Sequence, residues 1–331
     1  MSGISRRAFN LGAAAAVGTL LTRRLEAAPL FKGGKVRVIC GFPTGSGGDE
    51  FVRFYAARME PLLGASVTVV NFMEENLKYE GNLATQNVLD SPADGRTIYL
   101  TAGAILTANQ NLMDNPPFDV TKTLQSFGTV TRVPNTLVVR ADSPYKTLAE
   151  LTAAMKSKGD AAKYGVANGS VVRVIGALYR KMAGLSVAEI VRRDSHQTFK
   201  LLEDGEVDYV MSNNVYPVQL EKAGKVRILA INAQEREVGA PQYATFNEFG
   251  YPIDVDNWWA GFVPIKTPRR IVDHLGQILS AVVQTDVSRN YLSEVICDPW
   301  VQTPDQSQRH LVEQLAAWRD YVELAELEKE A

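Results

Sequence analysis

Short runs rich in apolar and β-branched residues alternate along the chain with longer runs whose apolar residues recur at helical spacing. The strand-like runs lie at 35–41, 66–71, 97–101, 164–168, 207–212 and 226–231. Between the first two runs, Phe51, Tyr55, Met59 and Leu62 recur every three or four residues, which predicts one apolar face of a helix. This alternation predicts an α/β fold whose parallel sheets are covered by helices on both faces.

Several of the predicted helices begin at recognisable caps. Thr147 with Glu150, and Thr303 with Gln306, have the spacing of capping boxes. Thr267–Pro268 predicts the start of a further helix, because proline suits the first helical position.

The chain is also divided by two proline-containing segments, near 133–144 and 252–268, which bracket a middle block with its own strand–helix alternation. We therefore predict a discontinuous first domain, 29–134 plus 256–331, and a second domain, 135–255. The chain would cross between the domains at least twice, and the two crossings would form a hinge. The cleft between such domains is the expected place for a ligand.

Residues 1–28 have the pattern of a cleaved export signal. Arg6 and Arg7 precede an apolar run of 11 residues, Leu11–Leu21, which is too short for a membrane helix of about 20 residues. The paired arginines in "SRRAFNL" match the twin-arginine type. Cleavage near Ala27 or Ala28 would release the mature protein into a periplasm, and no cysteine follows the run to carry a lipid anchor.

Charge and composition narrow the class of partner. The formal net charge is −2, and without residues 1–28 it becomes −5, from 31 basic and 36 acidic side chains. The sequence shows no basic stripe, so nucleic acid is not an expected partner. Cys40 and Cys297 lie in apolar contexts, which favours buried free thiols, although an oxidising compartment would also permit a disulfide. The cysteines and three scattered histidines lack metal-ligand spacing, so no metal or cofactor is expected.

The glycine-rich segment "FPTGSGGDEF", residues 42–51, follows the first predicted strand and leads into a helix expected to begin at about Asp49. Unpaired N–H groups and the positive end of the helix dipole suit an anionic group there, and glycines let it approach closely. No Gly-Lys-Ser/Thr follows, which argues against a nucleotide loop. Ser46 does not stand in Gly-x-Ser-x-Gly, which argues against a hydrolase nucleophile. A plain glycine-rich turn is the remaining alternative.

The same segment resembles the opening of the extracytoplasmic receptors of tripartite tricarboxylate transporters, the Bug receptors. Phe42, Pro43, Gly45, Asp49 and Arg53 are in register with the Phe-Pro-x-Gly-Gly-x-x-Asp-x-x-x-Arg pattern of that family, and a serine replaces its second glycine. Further matches follow in family order: "ADGRTIYL" (93–100), Asn109, "DSPYKTLAEL" (142–151), "YGVANGS" (164–170), "LLEDGEVDYVMSN" (201–213), "KAGKVRILAI" (222–231) and "NWWAGFVPIKTP" (257–268). The resemblance covers nearly the whole chain after residue 28.

This resemblance implies a two-domain periplasmic-binding-protein-like α/β fold of type II character, with the ligand cleft between domains and no catalysis of its own. Two loops of the first domain would hold a ligand carboxylate, and small polar residues and Arg173 of the second domain would close over the rest. The implied ligand-binding residues are Phe42, Thr44, Gly45, Ser46, Gly47, Gly48, Asp49, Gly81, Asn82, Asn168, Gly169, Ser170, Arg173, Ser212 and Asn213.

Departures from the family pattern bear on the ligand. The second loop usually reads Asn-Arg-Pro-Gly-Ala-Gly-Gly, whereas here Asn71 is followed by "FMEENLKYEGN" with Glu74, Glu75 and Glu80. Arg173 stands where the family usually has histidine, and "RRD" at 192–194 replaces Pro-Tyr-x-Gly. The charge lining the cleft is therefore rearranged, with positive charge from the second domain and negative charge from the first, unless these residues lie on the solvent rim.

Trp258 and Trp259 lie at the predicted hinge, where they serve either as hinge packing or as an aromatic wall for the ligand. The expected function is that of a monomeric periplasmic receptor that delivers a small organic acid or zwitterion to membrane transporter subunits. A ligand sensor for a signalling partner is one alternative. An exported hydrolase using Ser46 or Ser170 with His196 is the other, although no orienting acid stands at a suitable spacing.

Overall fold

The structure of the 331-residue protein is a computed structural model that describes residues 29–72, 81–167, 170–192 and 195–326. The predicted export signal, with Arg6, Arg7 and the cleavage site, lies outside these ranges. Helices and strands alternate over most of the described chain, as the sequence pattern predicts.

The strands are β1 (Lys35–Cys40), β2 (Ser66–Asn71), β3 (Thr97–Ala102), β4 (Leu124–Arg132), β5 (Asn135–Arg140), β6 (Lys163–Ala167), β7 (Ala188–Arg192), β8 (Tyr209–Asn213), β9 (Val226–Ile231) and β10 (Trp258–Pro264). The helices are α1 (Gly47–Leu63), α2 (Asn82–Leu89), α3 (Gly103–Leu112), α4 (Val120–Thr123), α5 (Leu148–Lys158), α6 (Ser170–Ala183), α7 (Ser195–Glu203), α8 (Val215–Lys222), α9 (Arg269–Val283), α10 (Asp286–Glu294) and α11 (Pro304–Leu324).

Within the described ranges, the strands form two five-stranded sheets, with orders β2-β1-β3-β10-β4 and β7-β6-β8-β5-β9. We call the first sheet with its helices the first lobe, and the second sheet with its helices the second lobe. The chain enters the second lobe between β4 and β5 and returns between β9 and β10. The α/β fold with two sheets agrees with the prediction, whereas the domain boundaries at 134/135 and 255/256 stay a prediction.

Both sheets are mixed rather than parallel, which corrects the sequence-based expectation. In the first lobe, β1 is parallel to β2 and β3, but β10 is antiparallel to β3 and β4. In the second lobe, β6 is parallel to β7 and β8, but β5 is antiparallel to β8 and β9. The reversed strands β5 and β10 are the ones that the chain forms directly after crossing from the other lobe, so no strand–helix–strand unit sets their direction.

Local signals fix the ends of several elements. Both predicted capping boxes are present, at Thr147 with Glu150 and at Thr303 with Gln306. Helix α9 begins at Arg269 with Pro268 as its N-cap, one residue later than Thr267–Pro268 predicts.

The lobes share part of their core. One buried cluster runs from the first lobe to the second through Leu106 of α3, Leu178 of α6 and Trp318 of α11. Helices α3 and α11 of the first lobe and α6 of the second lobe therefore share one apolar cluster. In the part of the chain that the structure describes, every helix is too short or too polar to cross a membrane.

Candidate ligand-binding site

A cavity of about 290 Å³ lies between the lobes. Its wall is formed by the β1–α1 and β8–α8 connections and by the first turns of α6 and α7. Open α/β sheets bind their ligands in this place, outside the carboxyl ends of the strands. Because four helices begin at the cavity, their dipoles together favour an anionic group inside it.

The first turn of α1 forms the first-lobe wall. Ser46 is the N-cap, and its Oγ accepts a hydrogen bond from Asp49 N at 3.4 Å. The first intrahelical bond runs from Glu50 N to Ser46 O at 2.9 Å. The N–H groups of Gly47 and Gly48 precede that bond and have no intrahelical partner. The helix therefore begins at Gly47, two residues before the predicted start at Asp49.

Asp49 holds this loop in place. Its side chain is buried, and it accepts hydrogen bonds from Gly45 N at 2.9 Å, Arg53 Nε at 2.9 Å and Asn71 Nδ2 at 2.8 Å. Burial by itself would raise the pKa of Asp49, but the bonds from Arg53, Asn71 and Gly45 bring this pKa below its usual range. Gly45 has a φ of 78°, which glycine adopts without strain.

An aromatic wall adjoins the loop. The Trp259 ring lies 5.1 Å from the Phe42 ring and 4.3 Å from the Phe51 ring, and all three residues line the cavity. A Cβ on Gly48 would come within 2.5 Å of the Phe42 ring, so only glycine leaves room for that ring. Trp258 points elsewhere and is fully buried against His310, with ring centroids 4.6 Å apart. Of the predicted pair, Trp259 is the cavity wall and Trp258 is core packing.

The end of β8 and the start of α8 form the second-lobe wall. Ser212 is buried and Asn213 is exposed, and both line the cavity. Asn214, the N-cap of α8, donates from Nδ2 to the Val295 carbonyl of the first lobe and lies 3.1 Å from Cys297 Sγ. The two lobes are therefore hydrogen-bonded to each other at the cavity wall.

The predicted site residues fall into three groups. Those that line the cavity are Phe42, Gly45, Ser46, Gly47, Gly48, Ser212 and Asn213. Those that are described but do not line it are Thr44, Asp49, Gly81, Asn82 and Arg173. Asn168 and Gly169 lie outside the described residues, as does the acidic loop with Glu74, Glu75 and Glu80, and Ser170 is the first residue of α6.

Residues away from the cavity have other partners. The Gly81 carbonyl accepts hydrogen bonds from Tyr99 Oη at 3.3 Å and from Thr85 Oγ1 at 2.8 Å. Asn82 Oδ1 accepts a hydrogen bond from Asn109 Nδ2 at 3.0 Å. These bonds tie the start of α2 to the first lobe rather than to the cavity.

The charge of the cavity wall differs from the expected rearrangement. Arg173 Nε lies 2.7 Å from Glu189 Oε1, so this guanidinium is paired with β7 and does not enter the cavity. Among the described residues that line the cavity there is no lysine or arginine, and Glu50 is the one acidic side chain. A bound anion there would rely on neutral donors and helix N termini.

Several residues that line the cavity are not among the predicted site residues. Asn135 and Asn257 come from the segments where the chain crosses between lobes, and Val215 and Tyr216 come from the first turn of α8. The sequence gives one signal for Asn135 and Asn257: each is a polar residue in a proline-containing segment where the chain crosses between the lobes. His196, considered as a hydrolase base, lies in the wall with its ring 4.5 Å from the Tyr216 ring.

A further lining segment, residues 295–298, follows α10, and we call it the strap. Val295 and Cys297 line the cavity and belong to the first-lobe core. Ile296 between them is buried in the apolar cluster of the second lobe, and its φ is 58°. A β-branched residue in the left-handed region is strained, so the packing of Ile296 holds the strap in this conformation.

Both cysteines are free and buried, as the interpretation of apolar contexts predicts. Burial raises the pKa of the Cys40 and Cys297 thiols to about 12 in each case, so neither is a reactive thiolate near neutral pH. In the described part of the chain, no three His, Cys, Asp or Glu side chains are placed to hold a metal ion.

Comparison with known proteins decides the family. Residues 52–327 match the family model described as the tripartite tricarboxylate transporter family receptor, TctC. The chain belongs to this receptor family. It is 26% identical to Protein BugT of Bordetella pertussis over 290 residues, which cover 87% of this chain and 88% of BugT. It is 25% identical over 268 residues to a protein of Agrobacterium vitis from the TAR-I ttuE-ttuC' intergenic region, covering 80% of this chain and 76% of that protein.

Solved structures with a bound carboxylate share the fold of this TctC-family receptor. An R. palustris protein with adipate has a TM-score of 0.79 and 26% identity, covering 88% of this chain and 97% of that one. MatC from Rhodopseudomonas palustris with bound malate has a TM-score of 0.75 and 25% identity, covering 87% of this chain and 98% of that one. The protein is therefore a solute-binding receptor and not an enzyme, and the hydrolase alternative is set aside.

Proposed function

We propose that this receptor binds an organic acid with few charges and an apolar body, in the periplasm, and delivers it to the membrane subunits of a tripartite transporter. The carboxylate would accept hydrogen bonds from the Gly47 and Gly48 N–H groups and from the Ser46 hydroxyl. The apolar body would lie against Phe42 and Trp259. The observation that carries this proposal is the free first turn of α1 at a cavity lined with aromatic rings.

Because the described cavity wall has no lysine or arginine, we expect the ligand to carry few negative charges. Taking a carboxylate out of water is costly unless its partners replace the lost hydration. Helix N termini with polar side chains can serve one carboxylate, whereas three carboxylates would need cations that the described wall does not contain. Glu50 and the predicted acidic loop add repulsion. A monocarboxylate or a zwitterion should therefore bind more tightly than a tricarboxylate.

Calorimetric titration and thermal shift test this proposal. The exported, processed protein is titrated with benzoate, 3-phenylpropionate, hexanoate, adipate, malate and citrate, with benzamide as the uncharged control for benzoate. We expect one ligand per chain, with the best Kd micromolar or tighter, about −8 kcal/mol. Ligand should raise the melting temperature because it binds only the folded state. Citrate as the tightest ligand, or benzamide equal to benzoate, would contradict the proposal.

The remaining parts of the proposal rest on the family and on the sequence. The match to the receptor family supports delivery to membrane subunits. Export with cleavage near Ala27 or Ala28, a monomeric state and ligand contacts by Asn168, Gly169 and Ser170 stay predictions. A role as a sensor would be favoured only if a strain lacking the transporter subunits still responded to the ligand through this protein.

A further inference from the structure

Three buried polar atoms in the cavity wall have no hydrogen-bond partner among the residues that the structure describes. They are Ser212 Oγ, Asn214 Oδ1 and Asn257 Oδ1. Their residues are 2%, 0% and 9% exposed. Folded proteins rarely leave buried polar atoms unpaired, and a ligand is one of the few explanations when they share a binding cavity.

The orientation of the Asn214 amide is fixed by the strap. Its Nδ2 donates to the Val295 carbonyl, so turning the amide would place two acceptor oxygens against each other. Oδ1 is therefore the atom of this amide that has no partner, and it can only accept. Ser212 stands two residues earlier, next to the last residue of β8, and both residues line the cavity. The two unpaired atoms thus belong to one part of the wall.

A ligand carboxylate cannot satisfy an acceptor oxygen, because it has no proton to donate. Resting on the proposed function, we propose that Asn214 and Ser212 form a subsite for a hydroxyl, amino or amide N–H group that the ligand carries in addition to its carboxylate. The ligand class is then a hydroxy- or amino-substituted carboxylic acid with an apolar or aromatic body. Sites built to bind an O–H or N–H group discriminate strongly against analogues that lack it, because the buried partner is left unpaired.

Matched ligand pairs test the subsite by calorimetry. The pairs are benzoate with 3- and 4-hydroxybenzoate, 3-phenylpropionate with its 4-hydroxyphenyl analogue, and hexanoate with 6-hydroxy- and 6-aminohexanoate. 4-Methoxybenzoate controls for size, since it has no donor. We expect at least one donor-bearing member to bind about tenfold or more tightly than its partner.

Ser212→Ala separates hydrogen bonding from structure. Because Ser212 Oγ has no partner, its removal should leave the melting temperature of the free protein unchanged or higher, and should reduce the preference for the donor-bearing member about 2- to 12-fold. Ser126→Ala is the matched control, because Ser126 Oγ donates to the Gly261 carbonyl at 3.2 Å and Ser126 does not line the cavity. The stability of this variant should fall, while its ligand preference should stay the same.

The outcomes are distinguishable. If both members of every pair bind with equal affinity, or if Ser126→Ala changes the preference as much as Ser212→Ala, the subsite is wrong while carboxylate binding stands. If no carboxylate binds, the proposed function fails and this inference fails with it.

Discussion

Gly47 is the point where α1 of the first lobe touches α8 of the second, and this contact can be tested by adding a single side chain. A Cβ on Gly47 would lie 3.0 Å from Val215 Cγ1 and 3.1 Å from Val215 Cβ. The φ of Gly47 is outside the left-handed region, so alanine or valine can adopt this backbone without strain. We therefore expect Gly47→Ala and Gly47→Val to fold, and to resist the approach of the lobes.

The expected loss of affinity follows from the distances between the added Cβ and Val215. Carbon contacts below about 3.4 Å are repulsive, so Val215 must move by a few tenths of an ångström to admit alanine. Overpacking of this size costs about 1–3 kcal/mol. If the predicted hinge opens in the free protein, this cost acts on the closed conformation and should weaken ligand binding by about 5- to 150-fold. Valine carries two further methyl groups and should weaken binding more than alanine.

Calorimetry with the tightest carboxylate of the panel gives Kd, and calorimetric melting of the free protein gives stability. Val215→Ala removes Cγ1 and Cγ2 and should restore part of the affinity in the Gly47→Ala background, which a double-mutant cycle measures. Parental affinity of Gly47→Val would refute the reasoning, and so would a loss of free-protein stability as large as the loss of affinity.

Three further predictions address other parts of the molecule. Burial, then repulsion from Asp298, raises the pKa of Glu237 from 4.5 to about 7, so its contribution to stability is present below pH 4.5 and lost as the pH rises through about 7. Between pH 4.5 and 8, the melting temperature of Glu237→Gln should change less with pH than that of the parent protein. An equal change in both proteins would contradict this prediction. Ile296→Ala should lower the free energy of unfolding, measured in urea, by about 2–5 kcal/mol. Ile296→Gly should be about 1 kcal/mol more stable than the alanine variant, because glycine accepts a φ of 58°. Arg6→Lys with Arg7→Lys should leave unprocessed precursor in the cytoplasm on immunoblots of cell fractions, and normal processing would disprove the twin-arginine assignment.

Local signals were sufficient wherever a short stretch determines the structure. The runs at 66–71 and 226–231 are strands with the predicted bounds, because β-branched residues favour strands both in the partly exposed β2 and in the largely buried β9. Both capping boxes formed because their partners stand three residues apart. The glycine loop at 42–48 was placed at the cavity for the same reason: its strand, turn and helix are consecutive in the chain.

Features that depend on distant parts of the chain could not be predicted. The sequence pattern predicts hinge crossings at the proline-flanked segments that contain β5 and β10, and only their partners in the sheets define these segments as strands. The family resemblance predicts that Arg173 lines the cavity. Its guanidinium instead donates to the carboxylate of Glu189, sixteen residues away on β7. The strap has no sequence pattern at all, since its residues alternate between the cores of two lobes.

That alternation links ligand binding to the contact between the lobes through one side chain. Asn214 donates from Nδ2 to the strap at Val295, and its Oδ1 lies in the cavity wall without a partner. A donor on the ligand that binds Oδ1 would polarise the amide and strengthen the bond at Nδ2, because hydrogen bonds in a chain reinforce each other. Loss of the strap contact would in turn free the amide to rotate, and the fixed acceptor would be lost. Recognition of the ligand's donor and contact between the lobes should therefore weaken together when either side of the Asn214 amide is disturbed.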